Sequence, residues 1–185
     1  YRNFDVKEAY KACLRVAEYD TTGIAPVVPR WLYPYIMPVA RYYKNEWGYV
    51  PCDKDNEAVA KALEYAYDDW CISILAEALG DTANAGKYAG FAKGYENYFD
   101  PETRFMRGKD SEGKWRVPFD PRRATHRADD YCEGNAYQWS WFVPHDIEGL
   151  AALLGGEEAF VGKLDSLFMA SSEMTGEEVS ADISG

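Results

Sequence analysis

The segment from Asp129 to Asp146 gathers more chemically capable side chains than any other stretch of this sequence. It reads Asp-Asp-Tyr-Cys-Glu-Gly-Asn-Ala-Tyr-Gln-Trp-Ser-Trp-Phe-Val-Pro-His-Asp. A core helix would not carry so many polar groups, and an exposed helix would not carry so many rings. A pocket for a sugar needs both. Apolar ring faces take the C–H side of a pyranose, while carboxylates and amides take its hydroxyls.

Breaking a glycosidic bond takes two carboxyl groups. One is held protonated by partial burial beside apolar groups and gives its proton to the leaving oxygen. Glu133, flanked by Cys132 and Gly134 and near Tyr137, suits that role best. Gly134 would let a ligand approach closely. The plainer reading is that a glutamate before Gly-Asn is a helix-cap carboxylate. A Cys132–His145 nucleophilic pair is a rival, but no thiol-enzyme motif surrounds the cysteine. His126 and His145 are too few for a histidine-based metal site. Calcium suits the carboxylates better, although EF-hand spacing is absent.

A second constellation is Glu64-Tyr65-Ala66-Tyr67-Asp68-Asp69-Trp70. Glu64 and Asp68 share a helix face, and Asp69 points nearer the apolar stripe. A hydroxyl-rich ligand or a cation would explain an acid placed there. A salt bridge to a neighbouring helix explains it equally well.

Helices must position these groups. Apolar spacing predicts one from Phe4 to Glu18 and a proline-limited piece within Trp31 to Tyr43. The clearest begins at Asp55 and ends at Leu79-Gly80, with Val59, Leu63, Ala66, Trp70, Ile74 and Leu75 on one stripe. Further helices are expected over 83–98, over 146–154 and over 157–170, the last with Phe160, Leu164, Leu167 and Phe168 inward. Residues 97–130 form a loop-rich insertion with a small hairpin near Gly108 to Gly113. The fold class is all-α, built of antiparallel helices.

Composition narrows the partners. A net charge of −11 without a basic stripe disfavours nucleic acid. No apolar run has the roughly 20 residues of a membrane span, and no phosphate-binding or dinucleotide motif is present. Cys13, Cys52, Cys71 and Cys132 form no CxxC pair and are read as mostly free and buried, two disulfides being the alternative. The chain opens in mid-pattern at Tyr1 and stops at Gly185 without a terminal signal, so it is expected to be a piece of something longer.

Several stretches resemble signatures of the family 92 glycoside hydrolases. These are Leu63 to Ile72, Phe99-Asp100-Pro101-Glu102-Thr103, Phe105-Met106-Arg107-Gly108 and Pro118-Phe119-Asp120-Pro121. Most telling is Glu133-Gly134-Asn135-Ala136-Tyr137-Gln138-Trp139 running into Trp141-Phe142-Val143-Pro144-His145-Asp146. The resemblance is dense and ordered from about Gly48 to Phe168. It implies a bacterial, calcium-dependent exo-α-mannosidase of the periplasm or cell surface, inverting in mechanism, with α-1,2-linked mannose of N-glycans the expected substrate. It also implies an N-terminal β-sandwich joined to an (α/α)6 barrel, with the site between them.

On that likeness Glu133 is the general acid, and the whole of 1–185 is a fragment of the helical catalytic domain. The general base, an aspartate, and a further substrate and calcium loop are expected beyond Gly185. The β-sandwich is expected before Tyr1. The fragment alone is therefore expected to be inactive, with the rest of the same polypeptide and mannose-containing glycans as its partners. Candidate substrate-binding residues are Asp68, Asp69, Tyr137, Gln138, Trp141, His145 and Asp146, with no metal ligand assigned within the chain. Tyr137 stands where the family usually has tryptophan, which bears on fine substrate preference. The alternatives are a non-catalytic glycan-binding helical domain and another (α/α)6 glycosidase.

Overall fold

A computed structural model of the chain describes residues 3–125 and 127–176. Helix α1 (Val6–Ala17) starts where the Asp5 carboxylate accepts from the N–H groups of Lys7 and Glu8, two donors that the first turn leaves unpaired. A 3-10 turn (Arg30–Leu32) leads into α2 (Tyr33–Ile36), which holds Pro34 in its first turn, where a proline costs nothing. Helix α3 (Ala40–Trp47) follows Pro38. Helix α4 (Ala58–Leu79) starts three residues later than Asp55 and ends at Gly80.

The turn after Gly80 reverses the chain into α5 (Thr82–Phe91), capped by Asp81. The helix expected to run on to Tyr98 tightens instead into a 3-10 segment (Ala92–Tyr98). Strands β1 (Phe99–Asp100) and β2 (Phe105–Met106) pair antiparallel, Phe99 opposite Met106. An isolated bridge between Lys109 and Trp115 closes the expected hairpin. The chain then runs through α6 (Ala136–Trp139), α7 (Ile147–Leu153) and α8 (Glu157–Met169).

Helix α4 is the axis of the packing. Val59, Leu63 and Ala66 enter the larger core with Val50, Tyr95, Tyr98, Met106, Tyr131 and Leu150. Ile72 and Ala76, farther along, enter a smaller core with Tyr10 and Ala17 of α1 and Tyr88 of α5. Because its neighbours lie on several sides, the helix does not keep one apolar stripe. Ile74, placed inward by periodicity, is 48% exposed, whereas Asp69 is fully buried. Phe168 likewise is 78% exposed rather than inward, and no residue of α8 is fully buried. Among the described residues no helix is long and apolar enough to cross a membrane.

The cysteines are free, as expected, but they are not mostly buried. Cys52 is buried, Cys132 is half-buried, and Cys13 and Cys71 are exposed.

Candidate active site

The loop that carries Glu133 is held by hydrogen bonds on both sides of that residue. The N-terminus of α4 has no side-chain cap, and main-chain carbonyls of the loop take its place. Asp129 O accepts from Glu57 N at 2.7 Å, and Asp130 O accepts from Val59 N at 3.0 Å and Ala60 N at 3.1 Å. These pair donors that the first turn of a helix otherwise leaves orphaned. The Tyr131 hydroxyl donates to Met106 O at 2.6 Å, and Trp139 Nε1 donates to Cys132 O at 2.7 Å. Asn135 and Gln138 close a reciprocal capping box at the start of α6.

Glu133 lies between these fixings. Its φ is +48°, a left-handed conformation that costs a residue with a Cβ roughly 1–2 kcal/mol. It is exposed, so the partial burial expected of a proton donor is not supplied by this chain. The helix-cap alternative is also settled, because the cap is Asn135. The space a side chain at Gly134 would fill is taken by this chain itself: a Cβ there would lie 2.9 Å from Gln138 Oε1 and 3.2 Å from the Trp139 ring.

The Asp130 carboxylate is 2% exposed and accepts from Arg116 Nε at 2.9 Å. Arg116 also donates through Nη2 to Cys52 O at 2.7 Å. Its own carbonyl is held by Arg107, whose Nη1 pairs with Asp100 at 2.8 Å. Burial, opposed by Arg116 and reinforced by Asp129, pushes Asp130 up to about 6. Arg123 Nε stands 3.2 Å from Asp129 Oδ2 without the alignment of a hydrogen bond.

The other predicted residues scatter. Asp69 is 0% exposed and paired with Lys44, whose ammonium also lies 4.6 Å from the Phe91 ring centre. Burial pushes Asp69 up and Lys44 down, each held back by the other's charge. The salt-bridge explanation therefore accounts for Asp69, whose carboxylate has no open path to a sugar here. Asp68 accepts from Arg41 Nη2 at 2.6 Å at the rim of a cleft between α1 and α4.

Tyr137 packs edge-on to Phe105 at 4.9 Å, and Trp141 packs edge-on to Phe160 at 5.5 Å. Gln138 serves the capping box. His145 bonds Ala92 O at 2.9 Å among the rings of Tyr67, Trp70 and Tyr95. Asp146 caps α7 and accepts from Tyr95 and Lys93. Asp69, Trp141, His145 and Asp146 thus have occupations inside the fold, and only Glu133 and Gln138 are exposed residues of the motif region among those predicted.

The cysteine–histidine rival finds no support in this geometry. Burial first, then the charge of Glu57, pushes the Cys132 thiol up to about 11, and the His145 ring is engaged elsewhere. His126 lies outside the described residues. Sequence reading missed Asp129, Asp130 and Arg116. The adjacent acids were visible, but their task is set by contacts to Glu57, Val59, Ala60 and Arg116 that no local spacing announces. Among the described residues no three His, Cys, Asp or Glu side chains converge to hold a metal ion. The described residues do not by themselves make a calcium site.

A helical framework that presents one glutamate from a pinned loop matches the catalytic domain of a known class of sugar-cleaving enzymes. The model of the glycosyl hydrolase family 92 catalytic domain matches residues 1–184, and the chain belongs to that family. Among solved structures it is similar to the family GH92 inverting mannosidase BT2199 from Bacteroides thetaiotaomicron, with a TM-score of 0.77 and 34% identity. That match covers 99% of this chain and 23% of the other. It is also similar to the GH92 α-mannosidase BT3965 of the same species, with a TM-score of 0.75 and 36% identity, over 92% of this chain and 20% of that one.

A curated relative, an uncharacterized secreted glycosidase of Arthroderma benhamiae, is 28% identical over 89% of this chain and 24% of its own length. The chain therefore spans about a quarter or less of these relatives. Its antiparallel helices form part of an (α/α)6 barrel, the architecture of the family's catalytic domain.

Proposed function

We propose that this chain supplies the proton donor of an exo-acting α-mannosidase, with Glu133 as the general acid. The observation that carries this reading is the state of Glu133 itself, an exposed carboxylate at φ +48° in a loop that hydrogen bonds hold on both sides of it. Structures hold such strained backbone where function uses it. In the proposed step Glu133 gives its proton to the glycosidic oxygen as the C–O bond breaks. A water on the opposite face of the sugar attacks C1, and a base elsewhere in the polypeptide takes that water's proton. Inversion of an α-mannoside releases β-mannose, and the two carboxyl groups must stand roughly 6.5–9.5 Å apart to admit the water. Burial of Glu133 by the rest of the polypeptide would complete its environment.

The same reading extends to α-1,2-linked mannose on N-glycans, to export to the periplasm or cell surface, and to a calcium requirement whose main ligands lie outside this segment. Similarity to mannosidases supports a mannoside substrate, and similarity to a relative described as secreted supports export. The segment alone should be inactive for lack of its base.

The test is Glu133→Gln in the full-length enzyme. Hydrolysis of an unactivated α-mannoside should fall by about 10²–10⁴-fold, the usual worth of general acid catalysis. Hydrolysis of dinitrophenyl α-mannoside, whose leaving group needs no proton, should change little. Near-normal turnover of the unactivated substrate would overturn the assignment.

A further inference from the structure

The backbone of Glu133 is held in a costly conformation, and something must hold it there. Strained residues persist where the surrounding structure over-determines them. Toward α6 the Asn135–Gln138 box and the Trp139–Cys132 bond fix the chain. Toward the hairpin the fixing point is Asp130, three residues before Glu133. Its carbonyl is locked onto two N–H groups of α4, and its buried carboxylate is locked onto Arg116. Arg116 is anchored in turn, its side chain on Cys52 O, its N–H on Gly108 O at 2.8 Å and its carbonyl on Arg107. Gly108 leaves room for this arrangement, because a Cβ there would lie 2.6 Å from Asp130 Cγ.

We propose that the Arg116–Asp130 pair positions Glu133, transmitting the placement of the 99–116 hairpin to the proton donor across the loop. The pair touches no reacting atom. It acts on the aim of a carboxylate that, on the reading above, must meet a leaving oxygen. Misplacing a catalytic group by about 1 Å can cost on the order of 10²-fold in rate. A buried aspartate that lost its arginine would keep an uncompensated charge, and its side chain would shift to relieve it and disturb the loop that follows.

The experiment uses the full-length enzyme and two substrates, an unactivated α-mannoside and dinitrophenyl α-mannoside. Asp130→Asn and Arg116→Gln should each lower kcat on the unactivated substrate by about 10–100-fold, with KM within about twofold. The activated substrate, which needs no proton, should lose less than about threefold. Arg116→Lys keeps a cation for Asp130 and should recover part of the loss. Gly108→Ala, which crowds the carboxylate from the other side, should reproduce the selective loss.

Equal losses on both substrates would show a merely structural pair and overturn the proposal, as would no loss on either. If Asp130→Asn does not fold, the two Arg116 variants decide, since that side chain is one-third exposed. Glu133→Gln run alongside keeps the two readings apart. If it shows the leaving-group contrast and the Arg116 variants do not, the acid stands and the positioning fails. If Glu133→Gln shows no contrast, the acid assignment itself has failed.

Discussion

In the middle of α4, Asp69 faces inward and meets Lys44. In the loop before α6, Asp129 and Asp130 are buried and Glu133 is left exposed. Both segments place acids beside rings, and in both the buried acid has a basic partner. The difference lies in what the partnership holds. The Asp69–Lys44 pair joins two helix interiors and ends there. The Asp130–Arg116 pair joins a hairpin to a loop whose exposed Glu133 carboxylate has no ion pair among the described residues. Acids next to aromatics therefore identify a region where charge has been brought into the fold. Which acid is free for chemistry is decided by where the cations stand.

The comparison is broken most forcefully at Asp69. Asp69→Asn leaves Lys44 buried without a counter-charge, and urea unfolding should show a loss of roughly 3–5 kcal/mol. The double change Asp69→Leu with Lys44→Met should recover most of it, since removing both charges also removes their desolvation. A single-variant loss below about 1 kcal/mol would mean that the helix acid is not structural, and the contrast with the loop would collapse.

A smaller effect is expected on the loop side. Asn135→Ala removes the side-chain half of the capping box at α6 and should cost about 1 kcal/mol. The variant should also relax the loop enough to be seen as faster amide exchange at Tyr137 and Gln138. Unchanged exchange would mean that α6 is held by tertiary packing alone.

Titration sharpens the comparison further, because two buried aspartates respond with opposite sign. Burial raises Asp100, but Arg107, Thr103 and the Glu102 N–H outweigh it and hold the carboxyl below its ordinary range. Its stabilising contribution is complete above the unfolded-state value of about 4 and is lost as pH falls through the lower folded value. Asp130 sits at about 6. Between about pH 4 and that value the folded chain binds a proton that the unfolded chain has released, so this contribution falls as pH rises. Unfolding midpoints from pH 4 to 7 should decline less steeply in Asp130→Asn than in the parent. Identical slopes would show that Asp130 does not titrate in that window.

The mildest test uses the thiols. Cys13 and Cys71 are exposed, while burial and then nearby acids push Cys52 and Cys132 to about 11. Labelling with a chromogenic disulfide should therefore reach Cys13 and Cys71 first. Early labelling of Cys132 would mean that the Glu133 loop opens more readily than its hydrogen bonds imply.

Much of this framework was legible in the sequence. The recurrence of Val59, Leu63 and Ala66 and the stop at Gly80 located α4, and Asp146 announced the start of α7. The exceptions have physical causes. Ile74 belongs to the periodic stripe yet is exposed, because α4 passes from one core to another and its buried face turns with the change of neighbours. Asp69 could not be assigned from its own helix, since its partner Lys44 lies on α3. Helix α5 carries Gly86 and Gly90 without a break, and the tightening into a 3-10 segment after Phe91 had no visible cue. Glu133 was singled out for a partly buried setting beside apolar groups, and in this chain it is exposed. Its left-handed backbone, which Glu57 shares, is encoded by no side-chain pattern.

The carbonyls of Asp129 and Asp130 at the head of α4 make that helix and the acid loop one mechanical body. A helix of 22 residues rises about 33 Å from end to end. Pivoted at the Gly80 end, a tilt of only about 5° over that length would carry the loop nearly 3 Å, beyond what proton transfer tolerates. The tolerance of the site is therefore set as much by how Tyr10, Tyr88 and Ala76 seat the far end of the lever as by anything beside Glu133. A substitution in that small distant core, harmless to the chemistry on paper, would be read at the proton donor as a loss of aim.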